Sequence, residues 1–144
     1  MTSFEVARSL FLFGSLPFVI MGFAHAVLSF LDDPEPRRYV PASDEVLEGM
    51  RGTHLKIAVH VNMWRAWLGF NISHGLGLFL FGTVYLTITV FDFSFIVYCQ
   101  PLIPIAIFGS AGYLLLALRY WFYAPAVGSG LGLVCFTAGY LFLH

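Results

Sequence analysis

The sequence predicts an all-α fold, an integral membrane four-helix bundle with an amphipathic helix between the first and second spans. Three observations carry this prediction. Of 144 residues, 59% are hydrophobic and only 10% charged, against about 25% charged in an average soluble domain. Mean hydropathy is +0.83. The apolar residues also fall into four runs, each near the roughly 20 residues a helix needs to cross hydrocarbon. Residues 1–144 read as a single transmembrane domain, with no length left for a separate soluble one.

The first span is expected over about 9–31 and contains Pro17, which a membrane helix tolerates with a bend. The run is too long for a secretory h-region and no small-residue cleavage site follows, so it is expected to be retained. It ends at Asp32-Asp33-Pro34-Glu35-Pro36. A Pro-rich connection follows. Ser43 before Asp44 and Glu45 has the form of a helix N-cap with acids in the first turn. From there Val46, Met50, His54, Ile57, Val61, Trp64 and Leu68 recur at spacings of three and four, which predicts an interfacial amphipathic helix over about 43–66. The second span is expected over about 67–91, with Asp92 marking a turn. A third is expected over about 95–118, carrying Pro101 and Pro104 near its start, and a fourth over about 122–143.

Four spans place the long first connection and the 118–122 turn on one side. That side holds Arg37, Arg38, Arg51, Lys56, Arg65 and Arg119, six of the seven Lys and Arg, and leaves Arg8 with the termini. By the positive-inside rule this side is cytoplasmic and both termini are outside. Trp64, Trp67, Trp121, Tyr120 and Tyr123 gather on it as an aromatic belt. Small residues recur every fourth position at Gly69, Ser73 and Gly77, and again at Ala124, Gly128 and Gly132. Such rows let helices approach closely in lipid. They are expected to pack helices within the chain, with contacts to another chain as the alternative.

Polar residues inside the apolar runs are the candidate site. Counting depth from the charged side at 1.5 Å per residue puts His25 and His74 at a common level, roughly 10 Å in. Asn71 lies one turn from His74, and Tyr113 and Ser129 fall near the same depth, so one polar layer would draw on every helix. A polar group in hydrocarbon must find a partner. The first reading of the layer is a hydrogen-bonded network that fixes helix register. A second is a pocket for a lipid, quinone or other amphiphile, and a third a single haem with His25 and His74 as axial ligands, or a two-ligand metal. A second bis-His haem is not available, because His54 falls in the amphipathic helix and His144 at the terminus.

Composition and motif exclude several classes. A net charge of −1 gives no reason to expect nucleic acid. Glu5 and Asp92 lie near span ends, so the mid-membrane carboxylate of a small proton-coupled exporter is missing. Cys99 and Cys135 form no Cys-x-x-Cys pair and read as buried apolar thiols. There is no phosphate loop, nucleophile elbow or zinc-protease helix. Arg65 and Arg119 read as interfacial snorkelling groups.

The stretch Met63-Trp64-Arg65-Ala66-Trp67-Leu68-Gly69-Phe70-Asn71-Ile72-Ser73-His74-Gly75-Leu76-Gly77 resembles a signature of small four-helix bacterial membrane proteins with no agreed activity. In layout, with a long first connection and a very short tail, the whole chain is similar to those proteins, and more distantly, in layout rather than motif, to the DoxX-like four-helix proteins. The resemblance implies a four-helix fold in a bacterial inner membrane. The reading that follows is a non-enzymatic accessory or scaffold subunit that needs no cofactor and packs against other membrane proteins or itself. The alternative is a binding or redox module holding a quinone, lipid or haem at the His25 and His74 level.

Overall fold

The computed structural model describes residues 2–33 and 36–143. Pro34, Glu35 and His144, which enter the expectations above, lie outside them. The described elements are α-helices apart from one short hairpin: α1 Ser3–Leu31, α2 Asp44–Gly52, β1 His54–Leu55, β2 Ala58–Asn62, α3 Met63–Tyr98, α4 Leu102–Tyr120 and α5 Tyr123–Leu143. Among them, α1, α3, α4 and α5 are long and apolar enough to cross a membrane. The all-α class therefore holds, and the chain has the character of a multi-pass membrane protein.

The starts of α1 and α3 are set by capping groups that precede the apolar runs. Thr2 N–H donates to Glu5 Oε2 at 2.7 Å and Glu5 N–H to Thr2 Oγ1 at 3.3 Å, a reciprocal box that starts α1 ahead of residue 9. Asn62 Oδ1 accepts Arg65 N–H at 2.8 Å, so α3 begins at Met63 rather than near 67. The α1 helix runs on through Pro17. Within α3, Asp92 is non-helical at φ −153 and ψ 78, and its Oδ1 accepts Phe95 N–H at 3.3 Å. It ends one helical piece and caps the next. The helix resumes to Tyr98, turns, and restarts at Leu102 with Pro101 at the cap. The third membrane-length helix thus begins about seven residues later than 95, because Pro101 and Pro104 lack N–H groups and fit a first turn.

The 43–66 expectation is corrected beyond Gly52. Ser43 does cap α2, accepting Val46 N–H at 3.4 Å, but Thr53 is extended and ends the helix. Residues 54–62 form an antiparallel hairpin with Leu55 opposite Ala58. Ile57, Val59 and Val61 also satisfy a period of two. Their β-branched side chains favour an extended chain over a helix.

Two compact units emerge, residues 1–21 with 78–144, and residues 22–77. The first is a four-helix bundle. Its core holds Phe11, Phe18, Phe136, Tyr85, Phe93 and Ile96, with rings in tilted and edge contacts such as Phe18 on Phe81 at 4.9 Å. Glycines admit these rings: a Cβ at Gly132 would strike the Phe18 ring, one at Gly128 the Met21 side chain, and one at Gly82 would sit 2.6 Å from Val19 N. The Ala124, Gly128 and Gly132 row therefore serves this bundle through its two glycines. Arg8 donates Nε to Thr89 O at 3.1 Å and a terminal nitrogen to Val90 O at 2.8 Å. It meets carbonyls that the break at Asp92 deprives of helical partners.

Candidate functional site

The second unit contains the polar cluster. Residues 22–31 of α1 and 63–77 of α3 meet at Gly75, where a Cβ would lie 2.5 Å from Ala26 N and 2.9 Å from Ala26 Cα. Only glycine permits that approach. One residue earlier on each helix stand His25 and His74, both half-buried, with ring centroids 5.6 Å apart at 85°. Phe70 stacks on the His74 ring at 6.2 Å and 14°. Asn71 is fully buried. It donates Nδ2 to Trp67 O at 2.9 Å and turns its amide to the His25 ring, while Oδ1 has no well-formed hydrogen bond.

The first connection closes onto these helices through Tyr39. Its hydroxyl shares a 2.9 Å hydrogen bond with His25 Nδ1, and its ring sits edge-on at 4.7 Å. Its carbonyl accepts the Trp67 indole N–H at 2.8 Å. Its own N–H goes to Asp32 Oδ2 at 2.7 Å, and the same oxygen takes Arg38 N–H at 3.0 Å. Asp32 is fully buried, with the Arg38 guanidinium 3.6 Å from Oδ1. A buried carboxylate holding two backbone N–H groups and a cation is a folded-loop device, since each bond offsets the cost of removing the charge from water. Burial, and then the Asp32 charge, push the Tyr39 phenol above its ordinary range, with Arg38 acting in the opposite sense. Tyr39 therefore stays neutral and available as a donor at neutral pH.

This chain matches no family model, no curated protein and no solved structure with which it was compared. What it does must be argued from its own residues.

Of the five expected site residues, His25, Asn71 and His74 come together in the second unit. Tyr113 and Ser129 belong to the first. The Tyr113 ring joins the aromatic core there, 6.0 Å from both Phe18 and Phe81, and Ser129 donates back to Pro125 O at 2.5 Å within its own helix. Sequence reasoning missed Tyr39, Asp32 and Trp67. The signal for Tyr39 was available, as it is the lone aromatic between Asp32 and Asn62.

The arrangement does not suit a haem between the two histidines. A macrocycle bound through both imidazoles must lie between α1 and α3 at their level. There Gly75 and Ala26 bring the backbones into contact. Among the described residues no three His, Cys, Asp or Glu side chains gather as a metal site. The geometry instead joins loop, α1 and α3 in one hydrogen-bonded set, which fixes register.

Proposed function

We propose that this protein is a non-enzymatic membrane component that packs against other membrane-spanning helices as an accessory or scaffold subunit. One observation carries the reading. Gly69, Ser73 and Gly77 form a small-residue row on α3 that is exposed along its length, and a Cβ at Gly69 would meet nothing within 4 Å. Gly75, on another face of the same helix, is filled by Ala26. In lipid a small-residue row confers close backbone approach, and with no hydrophobic drive between helices that approach is a main source of association. A bacterial inner membrane, with the termini outside, is proposed on the distribution of Lys and Arg and on the resemblance noted above. The test is gentle extraction of the native protein followed by sizing. Stoichiometric membrane partners that are lost from Gly69→Leu, with the helical spectrum and thermal midpoint kept, support the reading; a native protein that is monomeric and partnerless sinks it.

A second reading is supported by the His25 and His74 pair beside Asn71, two half-buried imidazoles with ring centroids 5.6 Å apart that offer hydrogen-bonding groups to a ligand hydroxyl or carbonyl. A quinol or hydroxylated lipid fits that chemistry. Mass spectrometry of extracted lipids from wild type and His74→Ala decides, because a bound amphiphile would be lost from the variant.

A further inference from the structure

The hairpin is the one described part of the first connection that directs large apolar side chains outward with no acidic neighbour. Ile57 is 94% exposed and Val59 69%. Lys56 and His60, next to them in sequence, are exposed, as is Arg65 in the first turn of α3, and no Asp or Glu occurs between Glu48 and Asp92. Arg51, the remaining cation of the stretch, is held by Glu48 at 2.9 Å.

Turn chemistry does not explain Ile57. The two residues between the strands are Lys56 and Ile57, and neither has positive φ. Gly, Asn, Asp, Ser and Pro are the residues that favour turns, each through a backbone effect that isoleucine lacks. Full exposure of such a side chain to water forgoes the stabilisation that apolar burial supplies. The tip is therefore shaped to meet something apolar, and the cations beside it select something negatively charged.

Position chooses the partner. Strand β2 runs into the first turn of α3 through the Asn62 cap. Five residues of strand separate the tip from that helix, roughly 17 Å even if laid straight out. An apolar tip with Lys56 beside it and Arg65 at its base, tethered this close to a membrane-length helix, meets the boundary between headgroups and acyl chains. We infer that the hairpin inserts Ile57 and Val59 into the anionic headgroup layer of the bilayer its own helices cross, with Lys56 and Arg65 binding lipid phosphate.

The test places a spin label at Ile57→Cys in the full chain, with labelled wild type as background for Cys99 and Cys135 and Glu45→Cys as a water reference. The protein is put in nanodiscs of phosphatidylcholine alone or with phosphatidylglycerol. Insertion predicts that with phosphatidylglycerol the ratio of oxygen to nickel-complex accessibility at 57 is several-fold above that at 45. It also predicts that Lys56→Gln with Arg65→Gln returns the ratio toward the reference. Nickel accessibility equal to that at 45 in both discs overturns the inference. So does a label shielded from both reagents, which would mean that protein covers the tip. Insertion indifferent to the double substitution overturns the phosphate contacts. Val59→Cys repeats the reading should Ile57→Cys fold poorly.

Discussion

Tyr39 is the residue on which the second unit turns, because one side chain and its peptide join α1, α3 and the buried Asp32. Its raised pKa has a definite sign. A group whose folded pKa exceeds its unfolded value contributes stability that is present below the unfolded value, about 10 for tyrosine, and lost as pH rises through the folded one. The clasp should hold through neutral and mildly alkaline pH and open only above pH 10. Phenolate absorbance of wild type minus that of Tyr39→Phe isolates this group, and a midpoint at or below 10 would contradict its burial. Tyr39→Phe itself keeps the ring and removes one hydrogen bond, so thermal stability in detergent should fall by about 1 kcal/mol. Gly75 gives the complementary case: Gly75→Val forces atoms into the Ala26 backbone and should cost about 1–3 kcal/mol, while Gly69→Ala should be neutral or slightly stabilising. Counting depth along two helices brings His25 and His74 to one level, and their rings lie 5.6 Å apart. No periodicity could deliver Tyr39, which reaches them from a loop.

At the scale of elements, the four long apolar runs were legible because hydrocarbon imposes one length on every crossing helix. Their ends were less so. Thr2 with Glu5, and Asn62 three residues before Arg65, are capping signals outside the apolar runs, and hydropathy passes over them. Replacing Asn62 by Ala should cost about 1 kcal/mol and speed amide exchange at Met63 to Arg65, with α4 and α5 unchanged. The hairpin shows a different limit. Residues 54–62 fit periods of two and of three to four together, and the helical reading fails because Thr53 breaks the run and β-branched residues follow it.

For the whole molecule, composition already dictated a membrane solvent, and the small-residue rows already marked close approach. What they could not decide is which rows the chain uses for itself. Gly128 and Gly132 are filled by Met21 and Phe18, whereas Gly69 is left open, and that difference is visible only once helices have faces. The proposal of an accessory subunit rests on this contrast. Its most direct test is a photo-crosslinking amino acid at Ser73, activated in native membranes and resolved by mass. A helix from a defined second polypeptide, or from a second copy of this chain, attached there at high yield is the predicted result. Adducts with lipid alone, at a yield matching a crosslinker placed at Leu131, would contradict it.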